Sequence, residues 1–106
     1  KLLKGLELGS KGIITATCNV TASLSRKVYD DFFEKKKQTK NEKLCNVRSV
    51  FDNYNLISGL HSFLSDQDKI YQNLLPPLSL LDNQNKIKLV SELKKLDFNL
   101  ESLEAA

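Results

Sequence analysis

Apolar residues recur at spacings of three and four over several stretches of the chain, and each stretch predicts a helix. Leu2, Leu3 and Leu6 share one face of a helix ending near residue 8, with Gly9 as its C-cap. Leu24, Val28, Phe32 and Tyr29 form the stripe of a second helix over 22–37, capped by Thr21 or Ser23 and ended by a lysine run. From Asn41 the series Leu44, Val47, Phe51, Tyr54, Ile57, Leu60 and Leu64 predicts one long helix, interrupted by Gly59. A bend or a close packing contact would account for a glycine there. A short segment follows from Asp66 or Asp68 to Tyr71, and Pro76-Pro77 imposes an extended stretch. Asp82 or Asn83 caps a last helix over 84–96 with Ile87, Val90, Leu93 and Leu96 inward. Residues 97–106 read as a loose tail with one apolar turn through Leu100 and Leu103.

One segment breaks this pattern. Gly12-Ile13-Ile14-Thr15-Ala16-Thr17-Cys18-Asn19 is β-branched, small and uncharged. It reads as a strand buried on both faces, as in a parallel sheet. Such a strand needs neighbours for its backbone groups, and nothing else in the sequence reads as one. The expected content is therefore mostly helical with one strand. A helix, a strand and a helix in that order look like the last turn of a β/α repeat (1–38), followed by a C-terminal helical region (39–106).

The 106 residues and 12.0 kDa set the scale at one domain or less. With 41% apolar and 27% charged residues the composition is globular. No apolar run is long enough for a membrane-spanning helix. Cys18 and Cys45 make no disulfide framework, and two thiols with His61 make no zinc site, so neither metal nor cofactor is expected. A reducing cytoplasm fits this cysteine usage. The chain begins at Lys1 and contains no Met, which reads as a fragment of a longer product.

The formal charge of +3 rests on 16 basic residues, of which only Arg26 and Arg48 are arginine. Lys35, Lys36, Lys37, Lys40 and Lys43 form the densest basic run, with no aromatic residue among them. That describes a solvated helix end rather than a nucleic-acid surface.

Gly9-Ser10-Lys11-Gly12-Ile13-Ile14-Thr15-Ala16-Thr17-Cys18-Asn19-Val20 resembles a segment of the dihydrodipicolinate synthase / N-acetylneuraminate lyase family, G-x-x-G-x-I-S/G-x-x-x-N-V. Leu75-Pro76-Pro77-Leu78 resembles the proline-containing stretch before that family's final helix, and Ile57–Leu64 falls where its long C-terminal helix lies. The order and spacing of the three blocks agree. His61 stands where the family has lysine, Leu74 falls in its arginine region, and the lysine run replaces a turn.

The resemblance implies an α/β parent fold, a TIM barrel whose eighth strand is the Gly12 segment. It implies a class I pyruvate aldolase that joins pyruvate to an aldehyde, or reverses that reaction, through a lysine Schiff base assisted by a tyrosine. Both of those residues lie on barrel strands outside this chain, so no catalytic residue is assigned within it. Ile14, Thr15 and Ala16 match positions lining the barrel mouth near the keto acid and are the candidate substrate-binding residues. Ala16 replaces a serine that contacts the sugar acid in the sialic acid branch, which favours a smaller acceptor. A homo-oligomer is also implied. The competing reading is a small non-catalytic helical interaction module.

Overall fold

A computed structural model describes residues 1–100. Among them the regular elements are five α-helices and one short 3-10 turn: α1 Leu2–Glu7, α2 Cys18–Phe33, α3 Asn41–Phe51, α4 Leu56–Leu64, the turn Lys69–Gln72 and α5 Asn83–Lys95. The chain divides into two compact units, Lys1–Asn46 and the segment from Val47 onward, with α3 running across the boundary.

In the first unit Leu2, Leu6 and Val28 are buried together. Leu3, Tyr29, Phe32 and Leu44 close around them. The α1 stripe predicted from the sequence is thus the face that meets α2. Inside α2, Thr21 has non-helical angles (φ −119°, ψ 21°) and kinks the helix. The cause is local: its buried hydroxyl donates to the Thr17 carbonyl at 2.9 Å, a return bond to position i−4 that bends helices.

In the second unit Val47, Phe51, Leu60, Phe63, Leu64, Leu89, Leu93 and Phe98 are buried. Phe63 meets Phe51 edge-on at 5.9 Å and stacks on Phe98 at 5.7 Å. Gly59 lies in this core. A methyl group there would sit 3.5 Å from Phe51 Cδ1 and 3.9 Å from Leu89 Cδ2, in ordinary contact. Around the core, Ser62 Oγ accepts from the Leu81 amide at 2.9 Å. Lys86 reaches Asp66 at 2.6 Å, and Asp82 caps α5 by accepting from Asn85 N at 2.8 Å. Pro76-Pro77 forms a turn with a cis bond where a simple extended stretch was expected.

Three helices end by the same device. After α1, α2 and α5 the chain enters the left-handed region at Gly9 (φ 98°), Lys35 (φ 57°) and Asp97 (φ 56°). The next amide then returns to the carbonyl five residues back: Ser10 to Gly5 (2.9 Å), Lys36 to Asp31 (2.8 Å) and Phe98 to Leu93 (3.0 Å). These are Schellman closures, which satisfy carbonyls the helix end would leave open.

The predicted strand at Gly12–Asn19 is absent. Residues 10–15 have no regular structure, and Cys18 and Asn19 already belong to α2. No ladder is available among the described residues, so the Lys11–Ile14 segment stays irregular, while Thr15–Asn19 finds its partners within its own sequence. The expected 41–64 helix is two helices. Asn55 breaks the run by capping α4, its side chain accepting from Ser58 N at 3.1 Å. The inward face of α5 is Leu89 and Leu93, whereas Ile87 is exposed. Of the apolar turn expected through Leu100 and Leu103, Leu100 is half-buried and Leu103 lies outside the described residues.

Two stability outcomes follow from these contacts. Lys35→Gly removes the left-handed penalty of a side chain and should raise unfolding free energy by about 1 kcal/mol, with a higher urea midpoint. Gly59→Ala should likewise stabilise, by up to about 1 kcal/mol, because helix propensity improves without a clash. A lower midpoint for either variant contradicts the packing described.

Candidate functional site

The site suggested by the sequence is the passage from α1 to α2. Gly9 turns the chain out of α1 and delivers Ser10–Ile14 as an exposed arm. Ile13 is 41% exposed and Ile14 fully so, at 106% of its reference area. A side chain such as Ile14 left wholly in water costs about 1.5–3 kcal/mol relative to burial, and Ile13, more than half covered, costs less.

The next residues hold themselves together. Thr15 Oγ1 lies 3.1 Å from Thr17 Oγ1. Cys18 N donates to the Thr15 carbonyl at 3.2 Å. Asn19 binds the Ala16 carbonyl twice, through its backbone amide at 3.1 Å and through Nδ2 at 2.8 Å. Asn19 thus fixes the loop instead of capping the helix; Thr17 occupies the cap position and makes no side-chain cap bond. Thr17 is buried, Thr15 half-buried and Ala16 exposed. Of the three candidate residues, Thr15 and Ala16 are pinned in this turn, while Ile14 stands free of it.

A groove of about 360 Å³ runs beside the arm, lined by Lys11, Gly12, Ile13, Cys18, Ser25 and Arg26 among others. Cys18 Sγ lies 3.5 Å from Ser25 Oγ, and both cysteines are free thiols. Arg26 sits over the Tyr29 ring at 4.6 Å and pairs with Asp30 at 2.9 Å. That hydrogen bond, with the charge attraction, raises the guanidinium above its ordinary range and lowers the Asp30 carboxyl. Lys27 is engaged by Asp31 at 2.8 Å. Among the described residues no group of three or more metal-ligating side chains converges. Nor does the groove bring a nucleophile together with a general base. The arrangement can shape and contact a ligand, but it carries no acid–base pair of its own.

Elsewhere, His61 Nδ1 shares a 2.8 Å hydrogen bond with the Tyr71 carbonyl and packs edge-on against its ring, a structural role. Tyr54 donates to Glu92 across 38 residues of sequence at 3.3 Å. The sequence carried no local signal for that pairing. The hydroxyl contact between Thr15 and Thr17 was also missed, although the T-x-T spacing marks it.

The class these features belong to is set by comparison: a family of class I aldolases and lyases. Residues 1–96 match the profile of the Dihydrodipicolinate synthetase family, and the chain belongs to that family. No curated protein and no solved structure matches it. No described helix is long and apolar enough to cross a membrane.

Asn19→Ala should remove the shorter of the two bonds on the Ala16 carbonyl, leaving the backbone bond, and so loosen the turn. Amide exchange at Cys18–Thr21 should quicken several-fold while amides of α5 keep their rates, a local opening of under about 1 kcal/mol. Unchanged exchange at Cys18–Thr21 would remove Asn19 from this role.

Proposed function

We propose that the chain is the C-terminal segment of a pyruvate-dependent aldolase or lyase, with 1–38 completing a TIM barrel and 39–106 forming a helical region beyond it. The observation that supports this most directly is the bare arm at Ile13 and Ile14, within a chain whose family match runs through it. A β-branched pair with no ladder, Ile14 wholly and Ile13 partly in water, is consistent with an eighth barrel strand that lacks its sheet. The helical-module alternative draws on the separate aromatic core of the second unit. It gives no reason for the arm.

In the assembled barrel, Ile14, Thr15 and Ala16 line the mouth. Ile14 supplies an apolar wall, the Thr15 hydroxyl a donor or acceptor, and Ala16 leaves room. The Schiff-base lysine and the proton-shuttling tyrosine come from other strands, so this chain contributes shape and not the nucleophile. Pyruvate and an aldehyde are the substrates, a homo-oligomer the assembled form and the cytoplasm its setting. No nucleic acid, membrane or cofactor takes part.

Treated with pyruvate and borohydride, the chain alone should gain no adduct at any of its 14 lysines by intact mass. A trapped lysine within it overturns this reading. By light scattering the isolated chain should exceed the mass of a monomer, because an apolar arm with open backbone groups pairs with whatever it meets. A monodisperse 12.0 kDa species counts against the reading.

A further inference from the structure

The second unit carries a groove that the aldolase reading does not use. It encloses about 350 Å³ between the 52–55 turn and one face of α5, with Leu81 in its lining. Asn85, Lys88 and Glu92 follow one another at helical spacing along that face. The turn supplies Asn53 and Tyr54. Tyr54 OH donates to Glu92 Oε1 at 3.3 Å and ties turn to helix. Burial, then the Glu92 charge and hydrogen bond, push the phenol above its usual range.

Asn85 is already committed: its amide nitrogens both engage Asp82. Lys88 and Asn53 are not. Among the described residues the Lys88 ammonium has no ion pair, and the Asn53 side chain has no hydrogen bond. Glu92 follows Lys88 by one turn, yet its carboxylate is turned to the phenol instead. Lys preceding Glu is also the weaker order for a helical pair. Opposite charges therefore share one groove without neutralising each other.

A lone anion here meets Glu92, and a lone cation meets Lys88. A molecule carrying both charges avoids both conflicts. The four-residue offset places the two backbone positions about 6 Å apart along the helix axis, which suits charges several bonds apart. The volume is at the small end of ligand sites, enough for a short chain. We propose that this groove binds a small ω-amino carboxylate, its carboxylate on Lys88 and the Asn53 amide and its ammonium on Glu92.

Saturation-transfer NMR on the full chain tests this in any state of association, and independently of the aldolase reading. The probe is 4-aminobutyrate, with butyrate and butylammonium as controls that each lack one charge. Saturation of 4-aminobutyrate with a millimolar midpoint is expected, with at least about tenfold weaker binding of either control, about 1.4 kcal/mol. Lys88→Gln and Glu92→Gln should each weaken 4-aminobutyrate several-fold while circular dichroism stays unchanged. Tyr54→Phe should weaken it too, by releasing Glu92 toward Lys88. Butyrate binding as well as 4-aminobutyrate, no saturation of any probe, or indifference to both charge variants overturns the proposal.

Discussion

A helix that ends must hand its last carbonyls to new donors, and in this chain that requirement sets the course of the segments after α1, α2 and α5. At Gly9 the return bond from Ser10 reverses the chain and sends the Ile13–Ile14 arm outward. At Lys35 the same closure turns the lysine run back, so that Gln38 reaches the Val28 carbonyl at 3.0 Å. At Asp97 it places Phe98 directly after the turn, where it stacks on Phe63. Glycine occupies only the first of these positions. The other two place lysine and aspartate in a conformation that costs roughly 1–2 kcal/mol for most side chains. The surrounding contacts tolerate that cost because the alternative leaves buried or half-buried carbonyls unpaired.

The same accounting explains the arm. From Lys11 to Ile14 no backbone amide makes a backbone hydrogen bond, while from Cys18 onward every amide through Thr21 does. The change occurs where side chains able to bond locally begin: Thr15, Thr17, Asn19 and Thr21. Short polar side chains compete with a ladder by offering the backbone nearby partners. Ile13 and Ile14 have no such means, and their own preference is for a pleated surface that only a sheet supplies. Local chemistry and missing neighbours therefore pull one short segment in two directions, helical at its end and unpaired at its start.

Legibility in the sequence followed the range of the interactions. Periodicity located α1 and α5, and Gly9 announced its turn, because these depend on residues within a few positions of one another. The break between α3 and α4 was hidden because the apolar spacing runs through it from Phe51 to Leu60; only the Asn55 cap gives it away. The Lys35 and Asp97 closures carry no glycine or asparagine and were invisible for that reason. On α5 the three-and-four spacing fits two registers, and the packing selects one that local spacing does not distinguish: Leu89 and Leu93 go in, Ile87 stays out. The candidate residues Ile14, Thr15 and Ala16 are suggested by motif alone. Their arrangement is not, since it depends on Asn19 choosing the Ala16 carbonyl over a helix cap.

What separates Ile14 from Thr15 and Ala16 is then physical and not only positional. Thr15 and Ala16 keep their geometry through bonds made within six residues. Ile14 has no bond that sets its direction and is oriented only by what packs against it. Of the three candidate positions, two are therefore fixed by local bonds and one is left to whatever packs against it. Substitutions at Thr17 or Asn19 would therefore disturb Thr15 and Ala16 directly, whereas the direction of Ile14 depends on a packing partner and not on this network.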